Sequence, residues 1–216
     1  MSDRSDQIYV FDLDDTLYQE RDYVISGFTH VSSLLDSHHG RTVPCSRMMA
    51  WWEEGADVFG RSCEELGLPA TLKDTLLWAY RLHFPVLQLA ESVQSVLAGL
   101  GARSYYIITD GRSVTQRNKM LALGVQPRVA FISEEIGSIK PHSVAFDTVA
   151  QQHPDSRIIY VADNPVKDFV RPNELGWLTI GLVDHGWNIH PQDPSQLEDR
   201  FLPKLWIDDF GHLENI

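Results

Sequence analysis

Cysteine is scarce in this 216-residue chain, which has only Cys45 and Cys63. Neither stands in a paired spacing or beside the His pattern that a zinc site needs. A disulfide scaffold and a structural zinc module are therefore excluded, and the two thiols read as inert side chains of a reducing, cytoplasmic protein. No apolar run approaches the roughly 20 residues that span a bilayer. The polar opening "MSDRSDQ" leads straight into a strand-like run, with no signal peptide to be read in it. Positive charge is also short, 18 Lys and Arg against 30 Asp and Glu, for a formal net charge of -12. That balance argues against a nucleic-acid polymer or an anionic membrane as partner. Internal repeats and low-complexity tracts are absent, and the nine His are scattered. The remaining composition, 43% hydrophobic and 22% charged, is that of an ordinary globular protein. It suits one sizeable domain, or a core with a smaller insertion, as a monomer or small homo-oligomer.

Short β-rich runs recur at Ile8 to Phe11, Tyr105 to Thr109, Val129 to Ile132, Ile158 to Ala162 and Leu178 to Val183. Each is nearly continuously apolar or β-branched and bounded by polar or Gly residues, which suits strands buried on both faces. Between them, "ESVQSVLAGLG", "RSVTQRNKMLALG" and "PHSVAFDTVAQQ" carry apolar residues at helical spacing; the first two stop at Gly101 and Gly124, and Pro141 takes the first helical position in the third. Strands alternating with helices predict an α/β fold with a Rossmann-like, doubly wound parallel sheet. "LWI", Leu205 to Ile207, is expected as an edge strand.

Residues 18–84 differ in character. "ISGFTHVSSLLDSH", "SRMMAWWEEGADVFGRSCEEL" and "TLKDTLLWAYRLHF" read as helices with apolar spacings of three and four. The chain thus divides into a core of residues 1–17 and 85–216 and an inserted small α-helical cap of residues 18–84. The stretch "DHGWNIHPQDPSQLEDRFLPK" reads as an irregular excursion.

Ligands of such sheets bind beyond the carboxyl ends of the strands, and four polar clusters fall there. Asp12 and Asp14 follow the first strand; Thr109, Asp110 and Gly111 follow the second; Lys140 stands before the third helix; Asp163 and Asp168 follow "IIYVA". Together they suit phosphoryl transfer. A carboxylate, Asp12, attacks phosphorus to give an aspartyl-phosphate. A second, Asp14, protonates the leaving oxygen and later deprotonates water, provided neighbours raise its pKa. Crowded carboxylates call for a hard dication with oxygen ligands, and Mg²⁺ fits best, with Asp12, Asp163 and the backbone carbonyl of Asp14 as ligands. Lys140 adds positive charge for the nucleophile and the transferring group. Thr109 and the N–H groups of Asp110 and Gly111 receive the remaining phosphoryl oxygens.

"DLDDTLY", "IITDG", "IKPH" and "VADNPVKD" occur in the order of the four motifs of the haloacid dehalogenase-like (HAD) hydrolase superfamily, which the chain resembles. The resemblance implies a Rossmann-like core with a helical cap after the first motif and Mg²⁺-dependent phosphatase chemistry on a small phosphorylated metabolite, a sugar phosphate or a nucleoside monophosphate. Carried over, it implies Asp12 as nucleophile, Asp14 as general acid/base, Thr109 and Lys140 on the phosphate side, Asp163 as a metal ligand and Asp168 as an outer or metal-proximal acid. Thr16 is expected to support the turn after the first motif, and Asp15 to shape it. Ala162 replaces the usual Gly before the fourth motif. Asp110 replaces a common Asn, and its side chain is expected to turn outward.

Asp14 argues against dehalogenation, because a departing halide needs no proton. Two other readings stay open: phosphoglucomutase-like transfer, with His30, His38 or His39 acting on a sugar hydroxyl, and a catalytically quiet binding or regulatory protein. Lys73, the only Lys between Asp12 and Asp110, has an ordinary helical context, unlike the Schiff-base Lys of phosphonatases. Trp51 and Trp52 are expected in helical packing rather than as a stacking platform, and Trp177, Trp187 and Trp206 as packing residues.

Overall fold

A computed structural model describes residues 7–102 and 104–216; the reading of Met1 to Asp6 as a polar lead-in lies outside them. The sheet is built from β1 (Gln7–Phe11), β2 (Tyr105–Thr109), β3 (Val129–Ile132), β4 (Arg157–Ala162), β5 (Leu178–Leu182) and β6 (Leu205–Ile207). The strands are all parallel, in the order β3-β2-β1-β4-β5-β6, so β6 is an edge strand as its Pro-preceded run predicts.

Four helices follow β1: α1 (Glu20–His39), α2 (Cys45–Glu53), α3 (Val58–Leu66) and α4 (Leu72–Leu82). Then come α5 (Glu91–Leu100), α6 (Ser113–Leu123), α7 (Ser133–Ile136), α8 (Val144–Gln152) and α9 (Val170–Glu174) among the strands.

Period-2 alternation sends successive side chains of each strand to opposite faces. Phe11, Ile107, Val161 and Ile180 pack with Val93, Val96 and Leu97 of α5 and Met120 and Leu123 of α6. Val10, Tyr106, Ile108 and Tyr160 pack on the other side with Phe146 and Val149 of α8. Both faces are covered, which is why the strand runs are continuously apolar rather than alternating.

The helices α1 to α4 enclose a core of their own. Val24, Phe28, Val31 and Leu35 form the buried stripe of α1, at spacings of four, three and four, and meet Met48, Phe59, Cys63 and Leu76 from the other three helices. α1 and α4 approach closely because Gly27 has no side chain: a Cβ there would stand 2.4 Å from the Tyr80 ring. Tyr80 packs against both this cluster and the sheet-side cluster.

Three local expectations change. The stretch read as one helix from Ser46 to Leu66 is two, because Gly55 takes a left-handed φ of 72° and Asp57 caps α3 by accepting from Gly60 N. The helix after Lys140 starts at Val144 rather than Pro141, with the Ser143 hydroxyl accepting from Ala145 N. Trp177 is buried, but Trp187 is 58% exposed and packs little. Trp51 and Trp52 pack beside the helical cluster under Arg47, Arg61 and Arg21.

Candidate active site

β1 ends against β4, where Asp12 N donates to Val161 O at 3.0 Å, and this pairing aims the next residues past the carboxyl edge of the sheet. β2 and β4 end beside it in register, Phe11 opposite Ile107 and Val161. Parallel pairing therefore brings Asp12, Thr109 and Asp163 together from positions far apart in sequence. They line one cavity of about 150 Å³ with Asp14, Lys140 and Asp168.

Asp12 is buried, and its Oδ1 lies 2.8 Å from Lys140 Nζ. The same ammonium donates to Asp168 Oδ1 at 2.6 Å. Asp168 has no exposed surface and accepts further bonds from Tyr160 Oη at 2.8 Å and Asn164 N at 3.0 Å. Both of its oxygens are thus engaged by protein donors, so Asp168 stands behind Lys140 and orients it. Burial lifts Asp12 to a pKa of about 7, with Asp168 and Asp14 adding to the rise and Lys140 opposing it.

Asp14 has the opposite balance. Its Oδ1 accepts from Tyr18 Oη at 2.5 Å and Lys119 Nζ at 2.7 Å, and its Oδ2 from Gln116 Nε2 at 2.7 Å. Burial raises its pKa, but Lys119, Tyr18 and Gln116 outweigh that and hold it below the usual carboxylate value. The sequence-based condition that neighbours raise the pKa of Asp14 is overturned: the helix α6 supplies a buried cation that the motif does not announce.

Asp15 takes a left-handed φ of 52°. Its Oδ1 accepts from Glu20 N at 2.8 Å and its Oδ2 from Ile189 N at 2.9 Å. It therefore shapes the turn, as expected, and also pins the start of α1 and the loop after β5. The Thr16 hydroxyl does not support its own turn; it points to Asp163 Oδ1 at 3.5 Å, because the turn faces β4 across the cavity.

Thr109 is buried and receives a bond of 2.6 Å from the same Gln116 amide that holds Asp14. Asp110 does not turn its side chain outward: its Oδ1 accepts from Lys140 N at 3.2 Å and ties the second motif to the third. The N–H of Gly111 donates to Ser133 Oγ at 2.9 Å, so its assignment to a phosphoryl oxygen does not hold in this conformation. Gly111 has a φ of 146°, and a Cβ there would come within 3.0 Å of the Gln116 side chain. Glycine here makes room for the amide that joins Thr109 to Asp14.

Oxygens of Asp12, Asp163 and Asp168 lie within 4.8 Å of one another. Asp163 is lifted to a pKa of about 9 by burial and then by Asp168, Asp12 and Asp15. This all-oxygen set of crowded, buried carboxylates fits a hard dication, which removes the repulsion that otherwise drives protons onto them. All three carboxylates of the set suit a share in holding such an ion, and two of them, Asp12 and Asp163, are those expected as ligands from the sequence.

Several residues of the site went unread in the sequence. Glu20, Asn164, Lys167 and His190 also line the cavity. The loop after β5, taken as an irregular excursion, forms one wall: Asn188 Nδ2 donates to Asp163 Oδ2 at 2.8 Å, and Gln192 Nε2 to Asp163 O at 2.6 Å. Asp184 Oδ1 folds that loop by accepting from the backbone N–H groups of Gly186, Trp187 and Asn188. An Asp followed two residues later by Gly is a turn signal, and it was the one available clue. Of the His considered for mutase chemistry, none lines the cavity: His38 and His39 end α1 ahead of the left-handed Gly40, and His30 stacks on His83 at 5.7 Å. Lys73 pairs with Asp57, well within the helical region.

No family model matches the chain. It is 25% identical over 192 residues to a glyceraldehyde 3-phosphate phosphatase of Methanocaldococcus jannaschii, covering 81% of this chain and 83% of that one. Among solved structures it resembles the HAD-hydrolase YfnB of Bacillus subtilis bound to magnesium, with a TM-score of 0.63 and 18% identity over 97% of both chains. A predicted phosphoglycolate phosphatase from Haemophilus somnus matches with a TM-score of 0.62 and 19% identity over 96% of both chains. A 2-haloacid dehalogenase from Pseudomonas syringae pv. Tomato matches with a TM-score of 0.61 and 19% identity, over 97% of this chain and 96% of that one. The chain has the fold of the haloacid dehalogenase-like hydrolases, and the four stretches that resemble that superfamily's motifs meet at one edge of its sheet.

Proposed function

We propose that the chain is a Mg²⁺-dependent phosphatase that hydrolyses a small phosphorylated metabolite through an aspartyl-phosphate on Asp12. The observation that carries the reading is the pair of carboxylates at the exit of β1. Asp12 lies against Lys140, and Asp14, two residues on, is held by three donors beside the Thr109 hydroxyl. A dehalogenase has no use for a second carboxylate so placed. The relative at 25% identity is itself named for a phosphorylated three-carbon substrate.

Asp12 attacks phosphorus as its P–O bond forms and the ester P–O bond breaks. Asp14 gives a proton to the departing oxygen, then takes one from the water that cleaves the acyl phosphate and restores Asp12. Lys119, Tyr18 and Gln116 hold the pKa of Asp14 below the usual carboxylate value, so the proton it gives must come with the substrate, and the negative charge of an arriving phosphate raises its proton affinity. Lys140 stays charged, since Asp12 and Asp168 more than offset the effect of burial and hold its pKa well above the usual lysine value. It faces the attacking oxygen and the transferring group. Asp12, Asp163 and the backbone carbonyl of Asp14 would hold Mg²⁺, which when bound neutralises charge between the carboxylates and the phosphoryl oxygens. A cavity of about 150 Å³ is small beside the roughly 300–1,000 Å³ of common ligand sites. It takes the phosphoryl group and leaves the rest of the substrate toward the rim at Glu20 and His190.

The test is hydrolysis of p-nitrophenyl phosphate by the parent with Mg²⁺, with EDTA, and by Asp12→Asn. Metal-dependent turnover that Asp12→Asn abolishes is the expected result. Halide release from a 2-haloacid, or full activity of Asp12→Asn, overturns the reading. Glyceraldehyde 3-phosphate, hexose phosphates and nucleoside monophosphates then sort the substrate class.

A further inference from the structure

Lys119 is one of the most unusual side chains in the molecule, a lysine on α6 with only 3% of its surface exposed. Buried ammonium groups are rare unless paired, and this one has two carboxylate partners. It donates to Asp14 Oδ1 at 2.7 Å and lies 3.6 Å from Glu20 Oε1. Its Nζ also stands 4.3 Å from the centre of the Tyr23 ring, a cation–π arrangement. Glu20 is the first residue of α1 and Tyr23 lies in its first turn. One cation therefore joins a residue proposed to move protons with the helix that opens the inserted region.

Gln116, one turn earlier on α6, completes the platform. Its Nε2 reaches Asp14 Oδ2, Thr109 Oγ1 and Asp110 O at 2.7, 2.6 and 3.1 Å. Residues three apart on a helix share a face, so α6 presents an amide and an ammonium side by side to the two oxygens of Asp14. Simple structural cross-linking would be served equally by an apolar pair, which avoids the desolvation that a buried ion pair entails. What an ionic clamp adds is a fixed direction for the Asp14 carboxylate, and proton transfer depends on that direction within a fraction of an ångström.

We propose that Lys119 is a positioning residue: it holds the Asp14 carboxylate in line with the leaving oxygen and ties that alignment to α1 through Glu20 and Tyr23. The inference rests on the phosphatase reading of the site and on Asp14 as its proton donor. It extends that reading to α6, which contains none of the four motifs.

Two aryl phosphates separate the roles. p-Nitrophenyl phosphate has a leaving group that departs with little protonation, whereas phenyl phosphate needs the proton. Lys119→Met is expected to lower kcat for phenyl phosphate by about 10²-fold and for p-nitrophenyl phosphate by under about 10-fold, with KM nearly constant. Lys119→Arg, which keeps the charge, is expected to recover most of the phenyl phosphate rate. Glu20→Gln, which weakens the tie to α1 and is read on kcat because Glu20 also lines the cavity, is expected to show the same selectivity more weakly. Should Lys119→Met fail to melt cooperatively, Lys119→Met combined with Glu20→Gln removes one stranded carboxylate and is read in the same way. Equal losses on both esters, or a change confined to KM, overturn the positioning role while leaving the phosphatase intact. A parent without metal-dependent turnover of either ester instead overturns the reading on which the inference rests.

Discussion

Asp12 and Asp14 leave the same strand two residues apart, both largely withdrawn from water, yet their proton affinities diverge. Asp12 is raised to a pKa of about 7, while Asp14 is held below its ordinary value. The difference lies in how each cation is shared. Lys140 is divided between Asp12 and Asp168, and a further carboxylate, Asp163, lies close by. Lys119 leans on Asp14 at 2.7 Å and only at 3.6 Å on Glu20, and two neutral donors add to it. Around Lys140 three carboxylates crowd together, a set suited to recruit a further cation; around Lys119 the donors converge on Asp14, and the surplus charge falls on Glu20, whose pKa burial and Asp14 lift to about 8. Neighbouring carboxylates thus acquire different work from the helices and loops that reach them rather than from their own motif.

The hardest blow to this contrast falls on Asp12. Asp12→Asn is expected to lower kcat/KM for p-nitrophenyl phosphate by on the order of 10³-fold or more, since a neutral amide cannot form the acyl phosphate. Retained activity would dissolve the distinction between the two regions. Lys140→Met comes next: it strands Asp12 and Asp168 in the interior, at an expected loss of about 3–5 kcal/mol in urea unfolding. An unchanged midpoint would mean that the shared cation is not what holds that cluster.

Asp14→Asn is expected to slow phenyl phosphate by about 10²-fold while sparing p-nitrophenyl phosphate in part. Equal slowing would deprive Asp14 of its separate role. Mg²⁺ at 100 times its dissociation constant is expected to stabilise the protein by about 2.7 kcal/mol, read as a raised melting temperature. Asp163→Asn should remove most of that rise and Asp14→Asn little of it, because only the backbone carbonyl of Asp14 is assigned to the ion.

The smallest effect lies at the margin of the Asp14 region, where Tyr23, the ring beneath Lys119, packs on His83 at 5.0 Å. Burial pushes the His83 pKa down, against the bond from its ring to Tyr80 O. A depressed pKa contributes stability that is present above the unfolded value near 6.5 and is lost as pH falls through the lower folded value. Between pH 7 and pH 5 His83 therefore works against the rise in melting temperature that the raised carboxyls of Asp12 and Asp163 give the metal-free protein, and His83→Gln should steepen that rise slightly. A slope unaltered by the substitution would locate the sensitivity elsewhere.

Much of the architecture was legible because the information was local. Continuous apolar runs such as Tyr105 to Thr109 can only be buried on both faces, and their alternation with helices leaves few topologies. Asp12, Thr109 and Asp163 were legible for a related reason: each ends or directly follows a strand, so the parallel sheet brings them to one edge whatever the details, whereas Lys140, four residues ahead of α8, was legible only through the motif it resembles. The single helix read across Ser46 to Leu66 failed at Gly55, where one left-handed residue redirected the chain. Lys119, Gln116 and Asn188 were not legible. They lie on a helix face and in a loop with no fixed spacing from the motifs, and they become site residues only after packing sets distances of a few ångströms.

By itself, the amino-acid sequence determined the parallel sheet, the helical character of the stretch after β1 and the set of carboxylates at the strand ends, because these follow from hydrophobic period and from position along the chain. The tertiary structure alone decided what each group does there. It turned Asp110 inward, engaged the N–H of Gly111 and both oxygens of Asp168, and set Lys119 against Asp14. Ionisation and hydrogen bonding depend on which groups share a few ångströms of water-poor space, and residues 105 positions apart, such as Asp14 and Lys119, share it only after folding.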